Sequence, residues 1–290
     1  LRSLRLSFIL LVLTCLLDFV PRSAYGRGLA EIRRSGELRI CYPSLSTLTS
    51  EAQIDHPHVR TAITFARFLN VAPRLREIPW DKVFEDSDGK VHQDRTYTPA
   101  LLKHKTCDFF PSDITILPWR QNKLAFAPIY ASRKIVIVRR EDVPKYVNIA
   151  SLGGKKTITQ SNTTYADWLE HQNKDVLRSQ PIRILYNPTS HPLVDLRARR
   201  SDFAILDAYS ALSAIRSKYQ DLAVAFPVGM TEQIAWGFAR EDRDLLDRFQ
   251  DFFRQASQDS RSEVNGHFRR FFGIDLPQVN ELTYLVINKN

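Results

Sequence analysis

The chain of 290 residues is short of glycine, with ten, and holds only three cysteines. Three cysteines cannot staple a small disulfide scaffold. Without a Cys-x-x-Cys pair or a histidine cluster they offer no structural zinc site. Collagen-like period, low-complexity tract and short internal repeat are all missing. So are the Gly-x-Ser-x-Gly, His-Glu-x-x-His, Gly-x-Gly-x-x-Gly and EF-hand patterns. Gly153-Gly154-Lys155-Lys156-Thr157 has the residues of a phosphate loop without its spacing, and reads as a turn into a strand. His56-Pro57-His58 lacks a nearby third ligand and reads as a solvated loop rather than a metal pair. The sequence therefore calls for no metal, no cofactor and no catalytic residue. The net charge is +9, yet lysine and arginine form no single block and no RNP, KH or zinc-finger signature accompanies them. We read a basic surface, with no nucleic-acid partner.

What is present is a folding composition, 43% hydrophobic and 25% charged, enough for one large or two medium domains. Arg2 and Arg5 precede an apolar run over residues 6–17, and Ala24-Tyr25-Gly26 follows with small residues at the two positions a signal peptidase reads. The run is shorter than the roughly 20 residues a spanning helix needs. Residues 1–26 are expected to be a cleaved leader and the remainder an exported, soluble monomer. Strand patterns at 37–42, 107–115, 135–139, 156–159, 182–186, 203–206 and 233–238 alternate with helical patterns at 59–69, 164–172, 192–199, 208–218 and 244–255. Such alternation predicts βαβ units around parallel sheet, with ligands bound at the carboxyl ends of the strands.

The stretch Asp108-Phe109-Phe110-Pro111-Ser112-Asp113-Ile114-Thr115-Ile116-Leu117-Pro118-Trp119-Arg120 is similar to the Asp-x4-Asp-Met-Thr-Ile-Thr-Pro-x-Arg motif of extracytoplasmic (periplasmic) solute-binding proteins of family 3, which serve polar amino-acid ABC importers. Asp108, Asp113, Thr115, Ile116, Pro118 and Arg120 match without a gap, and further segments resemble the family in order, including Asn162-Thr163-Thr164-Tyr165 and residues 201–212. The resemblance implies an α/β fold of the two-lobed periplasmic binding protein type II, each lobe a sheet flanked by helices around a ligand cleft. It implies lobe one from residues 29–132 and 235–290 and lobe two from 133–234. The chain would cross near 131–133 and 231–235 on two short strands.

The chemistry agrees with the residue types. A carboxylate is best met by the planar fork of an arginine and by the N–H groups of a helix start. Arg120 follows a buried strand, Thr163 and Thr164 open a helix, and Thr164-Tyr165-Ala166-Asp167 has capping-box form. An ammonium needs a carboxylate, and Asp207 follows a strand directly. In the resemblance Arg120 and the threonine pair hold a ligand's carboxylate and Asp207 its amine. Ser112, Asp113 and Thr115 supply strand-end contacts, and Trp80 lines the side-chain pocket. Each also has a plain reading: surface arginine, helix caps, core tryptophan. Leu117, Trp119 and Asn162 depart from the family pattern, as does an insertion over 86–95, and these should reshape the pocket. Cys41 and Cys107 fall on strands that neighbour each other in this fold, leaving either a disulfide or two buried thiols.

The implied function is capture of a small polar solute, an amino acid or related carboxylate, for a membrane permease, without catalysis. The alternatives are a sensing module acting on a membrane receptor or cell-wall enzyme, and an exported dehydratase-like enzyme using Asp113 or Asp207 as its acid.

Overall fold

The computed structural model describes residues 26–44, 54–189, 191–279 and 281. Of the expected leader only Gly26 is among them. The elements run α1 (Leu29–Ser35), β1 (Glu37–Pro43), α2 (Pro57–Phe68), β2 (Ala72–Ile78), α3 (Ala100–Lys103), β3 (Phe109–Thr115), α4 (Pro118–Gln121) and β4 (Leu124–Arg139). They continue with β5 (Lys156–Thr159), α5 (Thr164–Lys174), β6 (Arg183–Tyr186), α6 (Pro192–Arg197), β7 (Ala204–Asp207), α7 (Ala208–Ser217), β8 (Leu222–Ala239), α8 (Arg243–Gln258) and α9 (Glu263–Phe272). No helix among the described residues is long and apolar enough to cross a membrane.

Helix α8 shows how the sequence builds the core. Leu245, Leu246, Phe249, Phe252 and Phe253 recur at helical spacing and are the residues it buries. Phe249 stacks on Trp236 of β8 at 4.4 Å and meets Phe65 of α2 edge-on at 5.2 Å. Helix α1 stops where Gly36 takes φ 69°, a left-handed conformation that costs glycine no Cβ clash.

Six strands form one sheet in the order β2-β1-β3-β8-β4-β7, and β5 and β6 pair separately. The pairs β1–β2, β1–β3 and β5–β6 are parallel, as the βαβ pattern predicts. The expectation of parallel sheet fails for the rest: β8 is antiparallel to β3 and β4, and β7 is antiparallel to β4. The cause is that β4 and β8 are continuous strands of 16 and 18 residues lying side by side. A chain that leaves along one strand and returns along its neighbour must run the opposite way. Segments 131–133 and 231–235, expected on short connecting strands, instead lie within these long ones, where the register shifts between Ser132 and Lys134.

Buried side chains divide along the same line. Two clusters draw on residues up to Tyr130 and from Ile234 onward, with Tyr209 of α7 the one member from between. Two others draw on residues from Ile135 to Val228. Two lobes, each of strands covered by helices, thus share one ribbon of two long strands. Within the first, Cys41 of β1 is joined to Cys107 as a disulfide, with Cα atoms 5.6 Å apart. Cys107 precedes β3 rather than lying within its ladder, which frees it from the geometry that separates residues facing across parallel strands.

Candidate functional site

All eight residues singled out from the sequence, Trp80, Ser112, Asp113, Thr115, Arg120, Thr163, Thr164 and Asp207, line one cleft between the lobes. Ser44, Gln160, Tyr165, Leu206 and Ser210 complete its wall. The space between these walls is about 80 Å³ and opens to solvent.

Arg120 sits on α4, one turn past the end of β3, and is 1% exposed. Its Nη1 donates to the Thr115 carbonyl at 3.1 Å, and its Nη2 donates across the cleft to the Asn162 carbonyl at 2.9 Å. Its Nε has no acceptor. Each terminal nitrogen carries two hydrogens, so the guanidinium keeps donors to spare. Phe84, Trp119 and Trp80 surround it, with ring centroids 4.9, 5.1 and 5.5 Å from its central carbon. Burial lowers its pKa to about 10 against the pull of Asp167 and Glu232, leaving it charged at neutral pH. The departures noted in the sequence meet here. Trp119 becomes one wall of the cage. Asn162, at φ 58°, holds a backbone conformation easiest for glycine. Its carbonyl also accepts from Trp80 Nε1 at 3.3 Å, and its Nδ2 donates to Asp81 at 3.1 Å. The insertion is tied down by Lys123, 0% exposed, whose ammonium donates to the carbonyls of Arg95 at 2.7 Å and Trp119 at 3.1 Å.

Opposite stands Asp207, 4% exposed, at the N-cap of α7. It makes no side-chain cap bond, so the reading as a mere helix cap fails. Its Oδ2 accepts from the Tyr165 hydroxyl at 2.7 Å, and its Oδ1 is buried without a partner. Burial pushes its pKa up to about 6, with the Tyr165 hydrogen bond opposing. The helix start at the threonine pair differs by one residue from expectation. Thr163, not Thr164, is the N-cap, accepting from Ala166 N at 3.2 Å, so a box spanning Thr164 to Asp167 does not form. Thr164 is the first residue of the helix and faces the cleft.

Asp113 belongs to a buried chain of hydrogen bonds that sequence reasoning missed. Trp236 Nε1–H donates to His58 Nδ1 at 2.7 Å; because an indole can only donate, the His58 proton lies on Nε2 and is given to Asp113 Oδ1 at 2.7 Å. Tyr130 donates to the same oxygen at 2.5 Å, and Ser210 of α7 reaches Oδ2 at 3.4 Å. Burial alone would raise the Asp113 pKa, but His58 outweighs it and holds the carboxyl below its ordinary range. His56 and His58 are not in a solvated loop: both are buried, stacked at 5.0 Å, and burial with the neighbouring His58 takes the His56 pKa down to about 3. No group of three metal-ligating side chains occurs among the described residues. Lys134 and Glu232 form an ion pair, and Lys134 is the β4 partner of Asp207 in the β4–β7 register. The site thus joins a cation with spare donors to a carboxylate with a spare acceptor.

No protein-family model matches the chain. It is 24% identical over 228 residues to membrane-bound lytic murein transglycosylase F of Desulfosudis oleivorans, covering 79% of this chain and 45% of that protein. It is 23% identical over 238 residues to the L-cystine-binding protein TcyJ of Escherichia coli K12, covering 81% and 80%. The chain thus spans under half the length of that transglycosylase and most of the binding protein. Among solved structures it superposes on an ABC uptake transporter substrate-binding protein of Streptococcus pneumoniae with bound histidine. The TM-score is 0.67 at 17% identity, over 87% of this chain and 98% of the other. The chain has the two-lobed fold of the amino-acid-binding proteins and resembles the solute-binding family identified from its motifs.

Proposed function

We propose that the chain is an exported solute-binding protein that closes on a small zwitterion, an amino acid or a near relative, and delivers it to a membrane permease. The reading rests on the paired incompletion of Arg120 and Asp207. A buried guanidinium with free donors and a buried carboxylate with a free oxygen, held by opposite walls of one cleft, complement a carboxylate and an ammonium on one carbon. Residues 29–132 with 235–290, and residues 133–234, act as the closing lobes in this reading. The test is a thermal-shift screen of amino acids and small carboxylates. A true ligand at a hundred times its dissociation constant stabilises the fold by about 2.7 kcal/mol. Recovery of the ligand unchanged is the expected companion result, and turnover would move the assignment to an enzyme.

A second reading is favoured by the alignment with murein transglycosylase F: the fold would serve as a sensing part beside a cell-wall enzyme. Including murein fragments in the screen separates the two. Stabilisation by such fragments and by no free amino acid supports the second.

A further inference from the structure

Asp242 is the most anomalous carboxylate outside the cleft. It occupies the N-cap of α8 but does not cap that helix, is 1% exposed, and neither of its oxygens has a hydrogen-bond partner. Asp244, Asp108 and Glu241 surround it with like charge and Lys105 is the opposing cation; burial and those carboxylates push its pKa up to about 7. A buried carboxylate with neither oxygen bonded is costly, and the missing partner is a cation or donor.

The backbone against it is the sequence's own expected cleavage point. A Cβ on Gly26 would lie 1.7 Å from Asp242 Oδ2, so the carboxylate packs on the Gly26 backbone. The Arg27 nitrogen is two bonds further along. Arg27 is fixed there by its own side chain, 1% exposed, which pairs with Asp108 at 3.3 Å and donates to the Glu37 carbonyl at 3.2 Å. The next turn is held too, since Leu29 N donates to Asp244 at 2.8 Å.

We propose that proteolytic cleavage after Gly26 creates the missing partner: the new α-ammonium of Arg27 pairs with Asp242, so that maturation completes the packing of α1 against α8. The proposal rests on export of the chain and is independent of the solute bound. An ordinary α-amino group has a pKa of about 8, so it is charged at neutral pH and ionises Asp242 in turn. Before cleavage the same nitrogen is a neutral amide, and the carboxylate stays uncompensated.

The test compares the chain exported from its own leader with one exported from a leader cut several residues earlier, which keeps Gly26 in peptide linkage. Intact mass and N-terminal sequencing of the first should begin at Arg27; a start elsewhere overturns the assignment. Asp242→Asn should reduce the folding equilibrium constant of the mature chain at least tenfold and leave that of the extended chain unchanged or raised. Equal losses in both chains overturn the pairing, as does no loss in the mature one. Should the variant fail to fold, the wild-type mature chain suffices. Its α-amine should be acylated at pH 7 at least tenfold more slowly than in denaturant, and labelling at the denatured rate refutes the pair. Failure to be exported would instead count against the reading on which this one rests.

Discussion

At the scale of the residue, in the proposed reading the contrast between Arg120 and Asp207 would decide what the cleft holds. Arg120→Ala should leave a bound carboxylate under-paired, at a cost of about 2–5 kcal/mol, a thirtyfold to several-thousandfold loss measurable by calorimetry. Arg120→Lys should restore only part, because a point charge cannot reproduce the fork. Asp207→Asn should weaken ligands with an ammonium and spare those without one. Acidity adds a second check with two opposite signs. With its pKa raised from 3.8 to about 6, Asp207 contributes stability to the free protein that is present below the ordinary value and lost as pH rises through 6. A bound ammonium needs the ionised form, so amino-acid affinity should fall as pH drops from 7 to 5, and Asp207→Asn should flatten that profile. The ends of this site were legible because Arg120 and Asp207 fall at positions that match the family motif and stand at or just beyond the ends of strands. The chain from Trp236 through His58 to Asp113 was not, since its first two members are 178 residues apart and no spacing rule links them.

At the scale of the element, the helices were the legible part and the long strands were not. The apolar spacing of α8 named its buried face correctly because amphipathic period survives without knowledge of the partner. Only the ends of β4 and β8 were read as strands. Pro128 interrupts the first, Pro227 and Gly229 the second, and the ladder absorbs them with register shifts, one between Pro128 and Tyr130. The cysteines illustrate the same limit, since pairing depended on Cys107 standing just outside its strand. That bridge closes a separation of 66 residues. Replacing both cysteines by alanine should cost about 2–5 kcal/mol in thermal or denaturant unfolding. Reductant should lower the wild type toward the variant and leave the variant unmoved; identical unfolding of the two oxidised proteins would contradict this.

For the whole molecule, one contact that ties the lobes together lies partly outside the ligand-facing groups. Asn162 gives its carbonyl to Arg120 and Trp80 and its amide to Asp81. Asp81→Ala should remove one of these contacts while keeping every wall residue of the cleft, shift the population toward open lobes, and weaken each ligand by the same factor. Scattering in solution should register the expansion alongside the loss of affinity. The two lobes were foreseeable from a motif series running in order along the chain; the latch was not, because a carbonyl carries no mark in the sequence. A contact that is identical for every solute adds the same constant to each binding free energy and cancels from any ratio between two of them. In the proposed function the Asn162 latch would therefore work as a gain control, setting the concentration range over which the protein responds, while the tuning between one solute and another would be left to Arg120, Asp207 and the pocket around Trp80.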